Sequence, residues 1–118
     1  MKVSAIQGQQ KQALIKKNYN EIYAHELAHK NAGGNLAGAI QIIKNQDGIP
    51  VQGQVAIKMP KLNQNNPEDT ITKANIVTKA ATAPSDPSEQ DLKVAKQARS
   101  LKDKAENIEN DKKLDYYA

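Results

Sequence analysis

The spacing of apolar residues changes twice along this chain. Over residues 10–32 it is helical: Ile15, Tyr19, Ile22, Glu26 and His29 are separated by three or four positions and fall on one stripe. Gly33-Gly34 then ends the helix, since glycine readily takes the left-handed conformation just past a helix terminus. Two short stretches with strand character follow, Ala39 to Lys44 and Gln52 to Ile57. Between them, Asn45-Gln46-Asp47-Gly48 is a turn sequence, and Pro50, with no N–H to donate, belongs at a strand start or a sheet edge. These features predict a β-hairpin.

Helical spacing returns at Asn66-Pro67-Glu68-Asp69, which offers an N-cap, a first-turn proline and two acids for the positive end of a helix dipole. This helix is predicted to reach about Thr82 and to pack Ile71, Ala74, Val77 or Thr78, and Ala81. Pro84 and Pro87 bracket a break. A last helix begins at Ser88, with Ser88 and Asp91 placed for a capping box, and buries Leu92, Ala95, Ala98, Leu101, Ala105 and Ile108. The fold class is therefore α+β and mainly helical: a helix, a β-hairpin and two further helices. Residues 1–10 read as a flexible polar lead-in, residues 11–110 as one domain, and residues 111–118 as a charged tail.

Composition limits how this fold can be held together. Leu, Ile, Val and Phe account for 23 of 118 residues, and the aromatics are four tyrosines. Only a thin aliphatic core is possible, in a chain close to the lower limit for folding by burial. With no cysteine, disulfides, thiolate-bound metals and a thiol nucleophile are excluded. No apolar run approaches the ~18 residues of a membrane span. The first residues lack the apolar stretch of a signal peptide, making a cytoplasmic location the default expectation. The net charge of +4 is spread among interleaved acids and bases without an arginine cluster or aromatic platform, so nucleic acid is not an expected partner.

The candidate chemistry lies in the first helix. His25-Glu26-Leu27-Ala28-His29 is an HExxH motif, and it contains both histidines of the protein. Four residues make about one helical turn, so the two imidazoles project from one side and can converge on a zinc ion. Glu26, one position round the helix, is placed to take a proton from a water that the ion acidifies, as that water attacks a carbonyl. The third ligand is less constrained. Ala32 and Asn35 stand where a metzincin has glycine and histidine, which excludes that class. A carboxylate is required, and Glu68, Asp69, Asp86, Glu89 and Asp91 all lie at or before helix starts, where acids also serve as ordinary caps.

Three blocks in order resemble the SprA-related family, bacterial proteins assigned as zinc metallopeptidases from their HExxH. They are His25 to Gly38, Gly53 to Ile57, and Ala83 to Ala95. The resemblance implies a compact zincin-like domain in which His25 and His29 are the zinc pair and Glu26 is the catalytic glutamate. Gln90-Asp91 matches the family's Gln-Asp pair, which makes Asp91 the preferred third ligand. One departure is Gln54, where the family usually has an acid. If that acid is the ligand, this chain binds zinc weakly; if it contacts substrate, Gln54 alters specificity.

Two functions are expected from these features. The first is a zinc-dependent metallopeptidase acting on a peptide or protein substrate, with His25, His29 and Asp91 binding metal, Glu26 as general base and Gln54 in the substrate site. The edge of the second strand would pair with extended peptide. The alternative is a catalytically inactive zincin-like binding or structural module. The sequence does not fix the oligomeric state.

Overall fold

The computed structural model describes the backbone of residues 2–117 and the side chains of residues 8–113. The fold is α+β and mainly helical. A long helix α1 (Lys2–Gly33) leads through a single 3-10 turn (Gly34–Leu36) into an antiparallel hairpin of β1 (Ala37–Lys44) and β2 (Pro50–Ile57), followed by α2 (Pro67–Ala81) and α3 (Glu89–Tyr117).

Helix α1 begins at Lys2, well before the start near residue 10 that its apolar stripe predicts. The backbone of the expected lead-in is thus helical from Lys2, while Met1 and the side chains of residues 2–7 lie outside the described residues. The expected C-terminal tail is likewise helical as far as Tyr117, with Ala118 outside the described residues. The buried stripe of α1 also differs by one position. Asn18 takes the inward place expected of Tyr19, donating from its side-chain amide to the Pro50 carbonyl at 3.0 Å. Tyr19 turns outward and stacks on Tyr23, with ring centroids 5.8 Å apart.

Gly34 ends α1 at φ +53°, the left-handed geometry expected there. Gly33 keeps a right-handed conformation and serves packing instead: a Cβ on it would lie 2.9 Å from the Ala37 Cβ. The hairpin turn is held by Asn45, whose side-chain oxygen accepts the N–H groups of Asp47 and Ile49, and by Gly48 at φ +78°. Pro50 is the first residue of β2, opposite Lys44. The side chains of β2 alternate, with Gly53, Val55 and Ile57 half-buried and Gln52, Gln54 and Ala56 exposed.

The core is indeed thin. Its buried apolar residues are Ala74, Val77, Ala80 and Ala81 of α2 and Ala95, Ala98 and Ala105 of α3, and the largest fully buried side chains are Val77, Thr70 and Pro50. Alanine on both faces lets α2 and α3 pack closely without large side chains between them. Leu92, expected in this seam, is 51% exposed, and Val94 turns inward beside it. Asn66 occupies the N-cap position of α2, but its side chain makes no capping bond. Thr70 ties down the preceding loop instead, donating to the Lys61 carbonyl and accepting the Asn63 N–H. Because α1 and α3 are long, the molecule extends 84 Å along its major axis and about 20 Å across. No described helix is long and apolar enough to cross a membrane.

Candidate metal centre

His25 and His29 lie on successive turns of α1, their ring centroids 5.0 Å apart and the rings nearly perpendicular. Asp91 approaches from the first turn of α3. Its Oδ2 is 3.0 Å from His29 Nε2 and 3.4 Å from His25 Nε2. One ligand atom from each residue lies within 4.8 Å of the other two, a group that could hold a metal ion.

The chemistry of the donors supports that capacity. His29 is buried, and its Nδ1–H donates to the Ala80 carbonyl in the last turn of α2 at 2.7 Å. This bond fixes the tautomer, so in the neutral ring Nε2 carries a lone pair. That lone pair faces the Asp91 carboxylate at 3.0 Å, and two acceptors at that distance need a proton or a cation between them. The 3.4 Å separation of His25 Nε2 from Asp91 Oδ2 matches sharing of one tetrahedral ion, and the 3.0 Å separation of His29 Nε2 is slightly shorter than that. Ligand atoms placed about 2.0–2.2 Å from one tetrahedral ion are roughly 3.3–3.6 Å apart. Three protein donors leave the fourth position open.

Two of the three donors, His29 and Asp91, have an outer partner. Asp91 Oδ2 accepts the Ser88 N–H at 2.9 Å while Ser88 Oγ accepts the Asp91 N–H at 3.1 Å, a complete capping box that aims the carboxylate at the histidines. Burial raises the Asp91 pKa, but the Ser88 backbone N–H, His29, the Ser88 hydroxyl and His25 together outweigh it, so the net direction is down. Outer-shell bonds of this kind, Ala80 on His29 and Ser88 on Asp91, orient metal ligands and set their basicity.

Glu26 is buried beside this group, its side chain under the backbone of β2. Gly53 makes that approach possible, because a Cβ there would stand 2.5 Å from Ile22 Cγ2 and 2.7 Å from Glu26 Cγ. Burial pushes the Glu26 pKa up. The two histidines oppose this rise and Asp91 adds to it. The result is a carboxyl that accepts a proton more readily than an exposed glutamate does.

His25, Glu26, His29 and Asp91 all border one cavity of about 600 Å³, walled on the opposite side by β2. Gln54 borders it too, and its amide donates to Gln41 Oε1 across the hairpin at 2.6 Å. Of the five acids considered for the third ligand position, Asp91 is the one that joins the histidines among the described residues. Asp69 pairs with Lys73 at 3.0 Å, and Glu68, Asp86 and Glu89 are exposed. Sequence reasoning missed two contributors. Gly53 had a readable signal, a lone glycine inside a strand, which often marks close approach of another element. Ala80 acts through its carbonyl and had none.

The model of the SprA-related family matches residues 2–113. No curated protein and no solved structure matches the chain.

Proposed function

The chain belongs to the SprA-related family, and from that premise we propose that it is a zinc-dependent metallopeptidase cleaving peptide or protein substrates. The observation that supports this reading most directly is the meeting of His25, His29 and Asp91 beside the buried Glu26 in one open cavity. His25 Nε2, His29 Nε2 and Asp91 Oδ2 would hold the ion. Bound there, zinc supplies Lewis acidity, lowering the pKa of water towards about 7 and polarising a carbonyl.

The protein's own groups do the rest. Ala80 and Ser88 hold two ligands in place, which limits their reorganisation as charge develops. Glu26 takes a proton from the attacking water as the carbon–oxygen bond forms, then returns it to the amine nitrogen as the carbon–nitrogen bond breaks. Its raised proton affinity suits both transfers. Strand β2 pairs with β1 on one side only. Six consecutive residues of β2, 52–57, border the cavity although their side chains alternate between faces, so the strand presents its open edge there. An extended peptide can hydrogen-bond along such an edge, with Gln54 among its contacts.

The test is zinc content of untagged protein by mass spectrometry, alongside hydrolysis of an unfolded protein substrate. About one zinc per chain is expected, lost in His25→Ala, with Glu26→Gln keeping zinc and losing hydrolysis. Wild-type activity in Glu26→Gln overturns the mechanism.

A second reading has its own support. His29 Nε2 and Asp91 Oδ2 lie within hydrogen-bond distance of each other, with Ala80 bonded to the far side of the ring and Ser88 to the carboxylate. Such a pair can stand as a structural clasp joining α1, α2 and α3 in an inactive binding module. Failure to take up zinc under modest excess selects this second reading.

A further inference from the structure

The polar lining of the cavity outside the His–Glu–Asp group is dominated by side-chain amides: Gln41, Gln52, Gln54 and Gln90. Two of these are already linked. Gln41 and Gln54 are cross-strand partners, and Gln54 Nε2–H donates to Gln41 Oε1 at 2.6 Å. Both side chains stand on the face of the hairpin turned away from α1, since Gly53 and its half-buried neighbours on β2 take the other face. The pair therefore runs across the sheet towards the open edge of β2. At that end Gln54 keeps one N–H and its carbonyl oxygen for a further partner.

We propose that Gln54 is a specificity-determining residue that selects peptides carrying glutamine or asparagine at the position paired with it. The proposal rests on the peptidase reading for the fate of the peptide, but concerns which peptide is held. A peptide added along β2 as a third strand brings one residue opposite Gln54, on the same face, with Cβ atoms about 4.5–5.5 Å apart. A primary amide there offers both a donor and an acceptor, matching both groups that Gln54 leaves over and extending the Gln41–Gln54 row by one member. A carboxylate has no hydrogen to give the Gln54 carbonyl, and an aliphatic side chain answers neither group. Among the described residues no lysine or arginine borders the cavity to draw an acidic side chain instead.

The test measures binding separately from cleavage. Fluorescein-labelled heptapeptides, alanine except at a varied central residue, are titrated by anisotropy into zinc-treated full-length Glu26→Gln and wild type. Glutamine and asparagine peptides are expected to bind at least about threefold tighter than those with glutamate or leucine, within the range of cross-strand pair effects. The preference is expected to vanish in Gln54→Ala, to weaken in Gln41→Ala, and to move to lysine and arginine in Gln54→Glu. An unchanged ranking in Gln54→Ala, or no binding of any peptide, overturns the proposal. Selective binding without cleavage by wild type sinks the peptidase reading and leaves this one standing; cleavage without amide preference does the reverse.

Discussion

The Nδ1–H of His29 donates to the carbonyl of Ala80 at 2.7 Å, so the most buried imidazole of the protein is oriented by the end of a different helix. Among the described residues His25 has no comparable anchor, and it is partly exposed. The two histidines of one motif therefore differ in what their loss should do. In metal-free protein, His29→Ala is expected to cost about 1–3 kcal/mol through the lost buried bond and the space left behind. His25→Ala should stay within about 0.5–1 kcal/mol. Both should abolish metal uptake. Urea unfolding in the presence of chelator, compared with zinc content, separates the two effects.

Gly53 admits no side chain unless Ile22 and Glu26 of α1 shift. Gly53→Ala places a methyl 2.5 Å from Ile22 Cγ2 and 2.7 Å from Glu26 Cγ, and neither contact can persist. Destabilisation by about 1–3 kcal/mol is expected. Gly8→Ala is the contrasting case, with nothing within 4 Å, and should leave the unfolding midpoint unchanged or slightly raised. Equal effects from the two substitutions would disprove the close packing of α1 on β2.

The two carboxylates of the site should give metal-free protein opposite pH responses. Burial raises the Glu26 pKa, so the folded state holds its proton in a range where the unfolded chain has released it, and stability falls as pH climbs through that range. Glu26→Gln removes this loss. The variant should melt above wild type at pH 7, with the gap closing near about pH 4. Asp91 is shifted down, so its contribution is present above the ordinary aspartate pKa and disappears as pH falls through the depressed value. Asp91→Asn should therefore melt below wild type at pH 7 and converge with it in acid. Thermal melts of both variants with chelator across this range check the signs together.

The α2–α3 seam should tolerate no enlargement. Ala98 is completely buried, and Ala98→Leu is expected to cost about 1–3 kcal/mol by overpacking. Leu92→Ala, at a position 51% exposed, should change stability by less than about 1 kcal/mol. Chemical denaturation midpoints give the comparison directly.

Most of the architecture was legible because it rests on local signals. Pro67, the Ser88–Asp91 box, the Asn45–Gly48 turn and Gly34 each mark a boundary by their own backbone chemistry, and each boundary lies where they put it. The start of α1 was not legible, since residues 2–10 are polar and carry no period to extend. Nor was the exchange of Asn18 for Tyr19, because the choice depends on the Pro50 carbonyl, which is 32 residues away. In the site, HExxH announced its two histidines and its glutamate. Five acids competed for the remaining place on equal local grounds, and the resemblance favoured Asp91 where spacing alone did not. The supporting carbonyl of Ala80 has no side-chain identity and could be found only by folding the chain.

His29 and Asp91 are separated by 62 residues, and the protein has no cysteine. An ion shared between them would close that span as a disulfide does, removing from the unfolded chain an entropy worth about 4 kcal/mol in the chain-entropy model. Among the described residues the largest fully buried side chain is a valine, so such a tie would reinforce a core with little apolar bulk of its own. Metal supply would then act on the lifetime of the chain as well as on its chemistry. A cell short of the ion would hold a looser, more protease-sensitive protein, and a copy truncated before α3 would lack the second end of the tie.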